Sequence, residues 1–325
     1  MNKKITGRFA PSPSGRMHLG NVLCALLSWL SARSQNGRCL LRIEDLDQMR
    51  CPRSYAALII DDLHWLGLDW DTIEMPPNIP LLEGISSNIC LSAYQSDRTP
   101  IYLRYEALLQ QKNLLYPCFC SRAELHAANA PHLSDGRVVY SGKCRDLSLP
   151  QIRKLSQTRG AATRVRVPDK TIPFLDGCMG AYTENLAQEC GDFIIRRSDG
   201  VFAYQLAVTV DDGLMGVTEV VRGNDLIGST ARQIWLHQQF GFVPPKFYHI
   251  PLLLAPDGRR LSKRDEDLDL GILRTRMTPQ QLTGTLAYAA GLLPQYHPVA
   301  PHDLIPLFHW DLVKKQNLLL PDLFR

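Results

Sequence analysis

The chain has 325 residues, of which 36 are Lys or Arg and 32 are Asp or Glu, giving a formal net charge of +4. This length predicts a substantial core divided into two or three domains. Because the charge excess is so small, net charge is weak evidence for a nucleic-acid partner, and any RNA-binding surface must be a local basic patch. No run approaches the roughly 20 apolar residues needed to cross a bilayer, and the N-terminal segment meets Pro11 and Pro13 instead of an apolar signal core, so we expect a cytoplasmic protein without a membrane segment.

The first third of the chain contains a βαβα pattern. We predict a strand over 5–10, a helix over 18–34, a strand over 38–44 and a helix over 53–66. Apolar residues recur on one face of each helix, and Pro52 and Gly67 flank the second helix. Because strands joined by crossover helices form parallel sheets, the pattern predicts an α/β fold.

The middle of the chain interrupts that pattern. Residues 71–100 are polar and rich in proline and carry no assigned function, and a helix is predicted over 101–113. Residues 114–189 alternate short β-like runs, such as 163–167, with Pro and Gly breaks. This alternation predicts a subdomain inserted within a nucleotide-binding fold.

The remaining elements complete the predicted sheet. We predict strands over 192–195, 202–209 and 250–254, a helix over 229–240, and later helices over 279–292 and 301–319. The predicted fold is a doubly wound, Rossmann-like parallel sheet built from residues 1–113 and 190–255, with the insertion at 114–189. A short helical region follows at 256–325.

A Pro/Ser/Gly turn joins the first strand to the first helix. Unpaired amides and the helix dipole place partial positive charge at a helix start near His18, where a phosphate could lie, and Gly15 and Gly20 let the backbone approach a ligand. An ordinary strand-turn-helix connection is the alternative. The sequence has no dinucleotide-binding G-x-G-x-x-G motif, because no two glycines are separated by a single residue. It has no P-loop, because Gly142-Lys143 is followed by Cys144 instead of Ser or Thr.

A compact basic loop lies more than two hundred residues later. A Pro-Asp-Gly turn begins at Pro256, and Lys263 follows among basic residues. Such a loop can bring an ammonium group to a phosphate, whereas a solvated surface loop is the alternative. Each alternative would be favoured if its segment stood alone, but the turn at His18 and the basic loop occurring together favour a nucleotide site.

The two elements resemble the HIGH and KMSKS signatures of class I aminoacyl-tRNA synthetases. They read His18-Leu19-Gly20-Asn21 and Arg260-Leu261-Ser262-Lys263-Arg264. The segments 41–47 (LRIEDLD) and 220–226 (VVRGNDL) resemble the glutamyl branch, and the resemblance runs from about residue 6 to 264. It implies that a carboxylate joins the α-phosphate of ATP and pyrophosphate leaves, with Mg²⁺ held mainly by the phosphates.

The same resemblance implies roles for individual residues. Catalysis is assigned to His18 and Lys263, ATP binding to His18, Gly20, Asn21 and Lys263, and glutamate binding to Arg8, Ala10, Ser12, Glu44, Tyr204 and Arg222. Two guanidinium groups suit a substrate with two carboxylates, and Glu44 would accept its ammonium group. Which arginine meets which carboxylate stays open. A salt bridge or a solvated tip is the alternative for each charged residue.

Nine cysteines in a long chain without an export signal favour reduced thiols or metal ligation over disulfides. Spacing alone favours ordinary thiols, because Cys-x-Cys is not the usual metal-binding spacing. The resemblance to one small synthetase-like family implies instead that a structural zinc ion is held by Cys118, Cys120, Tyr140 and Cys144. His126 and His132 are competing ligands, and the other cysteines (24, 39, 51, 90, 178 and 190) are interpreted as structural.

Only 62 residues follow Lys263, fewer than the roughly 100 of a typical domain, so we expect no anticodon-binding domain. With the cysteine and tyrosine set, the chain most closely resembles the glutamyl-queuosine tRNA(Asp) synthetases. That resemblance implies a protein that activates L-glutamate with ATP and transfers it to queuosine at the wobble position of tRNA(Asp). We expect the protein to be a monomer. The alternatives are a truncated glutamyl-tRNA synthetase acting on the 3′ end of tRNA(Glu), and a catalytically silent, synthetase-like RNA-binding module.

Overall fold

The structure is a computed structural model that describes residues 4–74, 87–125, 139–255, 258 and 269–319. Its strands are β1 (Thr6–Phe9), β2 (Arg38–Leu41), β3 (Leu115–Cys118), β4 (Ala162–Val165), β5 (Thr171–Asp176), β6 (Gly180–Asn185), β7 (Phe193–Arg196), β8 (Glu219–Gly223), β9 (Lys246–Ile250), β10 (Leu253–Leu254) and β11 (Leu318–Leu319). Its α-helices are α1 (Leu19–Arg33), α2 (Arg53–Leu66), α3 (Ser87–Cys90), α4 (Thr99–Gln111), α5 (Arg122–Leu125), α6 (Leu149–Ser156), α7 (Tyr204–Leu214), α8 (Thr230–Phe240), α9 (Leu270–Arg276), α10 (Pro279–Ala290) and α11 (Pro301–Leu304).

Parallel strands form the centre of the fold. β1 pairs with β2 from Thr6 opposite Arg38, and β8 pairs with β9 from Glu219 opposite Lys246. Thr218, just before β8, donates its amide to the Thr6 carbonyl at 2.8 Å and so brings the two pairs together. The prediction of an α/β fold with a Rossmann-like parallel sheet is confirmed.

Helix α1 lies against this centre and is buried on almost all sides. Its buried side chains include Leu23, Leu27 and Trp29, and it packs against β1 and β8. Such a helix lacks a wide polar face because other elements cover it: the same apolar cluster takes in residues of α2, α9, α10 and α11. This enclosure fixes the start of α1 relative to the ends of β1 and β8.

Most predicted elements have counterparts in the structure. The helices predicted over 18–34, 53–66, 101–113, 229–240 and 279–292 correspond to α1, α2, α4, α8 and α10, and the strands predicted over 5–10, 38–44, 163–167 and 192–195 correspond to β1, β2, β4 and β7. Their bounds differ by a few residues, as fraying ends predict.

The strand predicted over 202–209 is wrong, because helix α7 occupies 204–214. Every residue from Leu206 to Leu214 is buried, so the segment has no polar face to show a helical period, and its valines and threonines favour a strand locally. The strand predicted over 250–254 is interrupted between β9 and β10. The long helix predicted over 301–319 is also wrong: α11 ends at Leu304 and a short 3₁₀ turn containing Pro306 follows.

The range predicted as an insertion, 114–189, contributes to two sheets. β3 pairs antiparallel with β4, and β4 pairs antiparallel with β7, which lies beyond that range. β5 pairs antiparallel with β6 and joins β9 through one parallel pair, Asp176 opposite Phe247. The division into core, insertion and C-terminal region stays a prediction. Within the described residues, no helix has the length and apolar character required to traverse a bilayer.

Candidate active site

An open cleft with a volume of about 560 Å³ lies where β1 and β8 end and α1 begins. Nine of the ten residues predicted for ATP and glutamate line it: Arg8, Ala10, Ser12, His18, Gly20, Asn21, Glu44, Tyr204 and Arg222. The tenth, Lys263, lies outside the described residues. Residues more than two hundred positions apart in the chain therefore share one cavity.

The turn before α1 brings backbone amides to the cleft. His18 is the N-cap of α1, and its Nδ1 accepts a hydrogen bond from the Gly20 amide at 3.1 Å. A Cβ on Gly20 would lie 3.0 Å from the His18 ring, so this close approach favours glycine. Gly15 has a φ of +133°, a backbone conformation that residues other than glycine rarely adopt. The turn thus depends on glycine at both positions.

The chain returns to this turn at Asp269, the first residue described after the basic loop. Asp269 forms an antiparallel bridge with His18, and the Leu270 amide donates to the Met17 carbonyl at 3.1 Å. On the other side of the loop, Leu253 of β10 lines the cleft. The described residues flanking the basic loop therefore lie at the cleft.

Of the two arginines among the described residues of the cleft, Arg222 makes more hydrogen bonds. Its Nε donates to His249 Nε2 at 2.9 Å, one terminal nitrogen donates to Gln233 at 2.6 Å and to Tyr204 at 3.2 Å, and the other donates to Thr230 at 2.9 Å. All four partners are acceptors without a formal negative charge when His249 is neutral. These bonds hold the guanidinium in one orientation without supplying a negative charge that would neutralise it.

Arg8 has a different electrostatic setting. It lies 3.3 Å from the buried Asp212 carboxylate and donates to the Val221 carbonyl at 3.3 Å. Asp212 also pairs with the buried Arg42 at 2.7 Å. Burial favours the neutral carboxyl, but the attraction of Arg42 and Arg8 outweighs it and lowers the pKa of Asp212. One buried carboxylate thus holds the guanidinium of Arg8, which lines the cleft, and that of Arg42, which does not.

Glu44 supplies negative charge on the cleft wall. Its carboxylate lies 3.3 Å from Arg42, and its amide donates to the Pro11 carbonyl at 2.9 Å. Burial raises the pKa of Glu44, and the nearby Arg42 and Arg8 oppose that rise. An ammonium group entering the cleft would favour the charged form of this carboxylate.

Sequence reasoning missed the residues that support these groups: Asp212, Gln233, Thr230, His249 and Asp176. One signal was available, since Asp211-Asp212 stands in the otherwise apolar run LAVTVDDGL, and a buried acidic pair requires partners. His249 carried no signal, because its contact with Arg222 arises from the pairing of β8 with β9.

A second cluster lies around β3. The sulfur atoms of Cys118, Cys120 and Cys144 all lie within 4.8 Å of one another, with 3.6 Å between Cys120 and Cys144. The Tyr140 hydroxyl lies 3.5 Å from the Cys118 sulfur and 3.8 Å from that of Cys120. All four predicted ligands therefore converge, whereas His126 and His132 lie outside the described residues.

The cluster has the chemistry of a thiolate metal site. Sulfur atoms bound tetrahedrally at about 2.3 Å lie roughly 3.8 Å apart. This is close to the 3.6 Å between the sulfur atoms of Cys120 and Cys144. Arg164 donates to the Cys118 sulfur at 3.2 Å and lies over the Tyr140 ring at 3.8 Å. Burial raises the pKa of the Cys118 thiol, but hydrogen bonds from the Cys120 amide, Tyr140 and Arg164 prevail and lower it. Burial and the neighbouring Cys118 and Cys144 raise the pKa of Cys120 to about 12, so of these two thiols only that of Cys118 is shifted toward the thiolate. A thiolate is the form that binds metal.

Comparisons with known proteins agree with this geometry. Residues 4–285 match the family described as tRNA synthetases class I (E and Q), catalytic domain. A glutamyl-Q tRNA(Asp) synthetase of Symbiobacterium thermophilum is 45% identical over 322 residues, covering 98% of this chain and 96% of that protein. One of Nitratidesulfovibrio vulgaris is 43% identical over 320 residues, with the same coverage of 98% and 96%.

A solved structure shows the same architecture. The glutamate-tRNA synthetase of Elizabethkingia anophelis matches with a TM-score of 0.80 and 27% identity, over 99% of this chain and 69% of that chain. The resemblance drawn from the two signatures and the glutamyl-type segments is confirmed. The chain therefore belongs to the class I tRNA synthetases of the glutamyl and glutaminyl type, in the family of the glutamyl-Q tRNA(Asp) synthetases.

Proposed function

We propose that the protein activates L-glutamate with ATP to form glutamyl-adenylate and transfers the glutamyl group to queuosine at the wobble position of tRNA(Asp). The observation that carries this proposal is the placement of two arginines, Arg8 and Arg222, and one carboxylate, Glu44, on the wall of the cleft that the start of α1 also lines. Two cations and one anion complement an amino acid with two carboxylates and an ammonium group.

In the activation step, an oxygen of the glutamate α-carboxylate attacks the α-phosphorus of ATP. The bond from that phosphorus to the bridging oxygen breaks, and the electron pair leaves with pyrophosphate. His18 and the first amides of α1 would hold the ATP phosphates, and Lys263 would stabilise the departing charge. Mg²⁺ would enter with ATP and balance phosphate charge. Neither His18 nor Lys263 needs to form a covalent bond.

In the transfer step, a hydroxyl of the queuosine cyclopentenediol attacks the activated carbonyl carbon. The new ester forms, AMP departs with the electron pair of the broken anhydride bond, and the hydroxyl proton passes to solvent or phosphate. The cyclopentenediol resembles the vicinal diol of a terminal tRNA ribose. One pocket can therefore serve either nucleophile, and tRNA binding outside the pocket must choose between them.

The first test is glutamate-dependent ATP–pyrophosphate exchange by the purified protein without tRNA. We expect exchange with L-glutamate and at least about a hundredfold lower kcat/KM with L-glutamine, because an amide does not neutralise a cation that a carboxylate pairs with. L-Aspartate serves as the control for side-chain length. Absence of exchange with glutamate would favour the catalytically silent module.

The second test compares tRNA(Asp) with and without queuosine as the acceptor of radiolabelled glutamate. We expect transfer only to the modified tRNA, and we expect it to survive removal of the 3′ CCA end. Equal charging of unmodified tRNA(Asp) would contradict the proposal. Charging of tRNA(Glu) that is lost with its CCA end would establish the truncated synthetase instead.

We also propose that Cys118, Cys120, Tyr140 and Cys144 hold one structural zinc ion. Bound there, zinc would join β3 to the segment that carries Tyr140 and Cys144 and so stabilise that part of the fold. We expect about one zinc ion per chain, falling below about 0.3 in Cys144→Ser, since a hydroxyl is a poor zinc ligand. Elemental analysis by mass spectrometry measures this.

The matched control for the zinc prediction is Cys178→Ala, which removes a buried cysteine outside the cluster. This variant is expected to keep its zinc. A wild-type protein purified without chelator that contains no zinc would mean that the thiols are structural only.

A further inference from the structure

We propose that His249 is a positioning residue for glutamate binding, which orients the Arg222 guanidinium through a hydrogen bond that leaves its positive charge available to a substrate carboxylate. The inference rests on the proposed function and assigns a role to a residue that does not line the cleft. It concerns a buried chain of three side chains, Asp176, His249 and Arg222, that runs across β5, β9 and β8.

The pairing of the strands creates this chain. His249 is the register partner of Arg222 across the parallel pair β8 and β9, so the two side chains lie side by side on one face. Asp176 ends β5, next to β9, and its Oδ2 lies 2.6 Å from His249 Nδ1. None of the three residues is more than 4% exposed. Water is therefore largely excluded from the bonds that join them.

The bonds at each end fix the tautomer of His249. Arg222 Nε carries a hydrogen and can only donate, so His249 Nε2 must accept. The proton of the neutral ring then lies on Nδ1, where it is donated to Asp176. Asp176 is held in turn by the amides of Cys178 at 3.0 Å, Met179 at 2.8 Å and His249 at 3.1 Å. The acceptor that faces Arg222 is thus rigidly placed.

A carboxylate in place of the neutral ring would neutralise part of the positive charge of Arg222. Arg8 is paired with Asp212, and that pairing neutralises part of its charge. Arg222 is held by His249, Gln233 and Thr230, so it receives comparable fixation from polar groups that bear no charge. Asp176 anchors this arrangement from the far side of the ring, separated from the guanidinium by the width of an imidazole.

Two isosteric variants separate this role from a general structural one. In His249→Asn the amide reaches the position of Nδ1 and can still donate to Asp176, but nothing accepts from Arg222 Nε. In His249→Gln the side-chain oxygen reaches the position of Nε2 and can accept from Arg222. Both variants remove the ring, which stacks on Phe247, so loss of aromatic packing is common to the two.

Glutamate-dependent ATP–pyrophosphate exchange is the assay. We expect His249→Asn to raise the KM for glutamate by about tenfold to a hundredfold while the KM for ATP stays within about twofold, because an oriented charge-assisted bond is lost only at the amino-acid pocket. We expect His249→Gln to restore the KM for glutamate to within about threefold of wild type. Titration calorimetry with glutamate alone should show the same order of affinities.

The outcomes distinguish this inference from the proposed function. If wild type exchanges with glutamate and His249→Asn shows the same KM, the positioning role is wrong and the proposed function stands. Equal increases in the KM for both substrates, or no difference between the Asn and Gln variants, would show a structural role only. If wild type neither exchanges nor binds glutamate, both proposals fail together.

Discussion

Arg222→Ala is expected to reduce glutamate-dependent ATP–pyrophosphate exchange by at least about a thousandfold in kcat/KM. The substitution removes a buried cation that lines the cleft beside Tyr204 and whose four described hydrogen bonds all go to uncharged acceptors. Charge-assisted and bidentate bonds to a carboxylate are about twice as strong as neutral ones, and two of them account for a loss of this size. Steady-state exchange at varied glutamate concentration measures it.

Arg222→Lys is the matched variant for this prediction. Lysine keeps the positive charge but presents a point charge instead of a planar fork, so it cannot donate to His249, Gln233 and Thr230 together. We expect activity between those of wild type and Arg222→Ala. Thermal melting of both variants shows whether the loss of the Arg222 donor to these acceptors destabilises the fold. Exchange by a folded Arg222→Ala within about tenfold of wild type would exclude a role for this cation in glutamate binding.

The second large effect is expected on stability, in Asp212→Asn. Asp212 is 2% exposed and is the carboxylate shared by Arg42 at 2.7 Å and Arg8 at 3.3 Å. Removing one member of a buried ion cluster leaves uncompensated charge, which typically reduces the free energy of unfolding by about 3–5 kcal/mol. Urea unfolding at neutral pH measures the change.

The pH dependence of that difference follows from the lowered pKa of Asp212. A carboxyl whose pKa is lower in the folded state than in the unfolded state stabilises the fold above the unfolded value, and this contribution is lost as pH falls through the folded value. The gap between wild type and Asp212→Asn should therefore be full at pH 7 and shrink below about pH 4. A gap independent of pH would contradict the charge argument.

Asp61→Asn is the control for a surface carboxylate. Asp61 contacts Arg16 and Arg274, but half of its side chain is exposed to solvent. Exposed ion pairs contribute less than about 1 kcal/mol, because water and salt screen them. If Asp61→Asn lowered the free energy of unfolding as much as Asp212→Asn, burial would not be the cause of the larger effect.

Local pattern and residue identity predicted much of the fold. α1 and α2 were predicted because turns, caps and apolar spacing agree within each segment, and the flanking strands followed from their short apolar runs. α7 was not predicted, because its first half, residues 206–210, is a nearly continuous apolar run with β-branched residues, which favours a strand locally and shows no helical period. The helix predicted after Pro301 is wrong for a different reason. The apolar residues of that segment indicate a helix, whereas Pro306 and the surrounding packing end α11 after one turn.

By itself, the sequence determined the family and the identity of the polar groups that face the cleft, because the signature around His18, the arginines and the cysteine set are readable as residue types in order. Only the tertiary structure decided how those groups are charged and held. The pairing of β8 with β9 places neutral His249 against Arg222, and the packing of α7 places Asp212 against Arg8. Such contacts join residues far apart in the chain, and electrostatic interactions in a buried site depend on distance and exclusion of water, neither of which is encoded by sequence spacing.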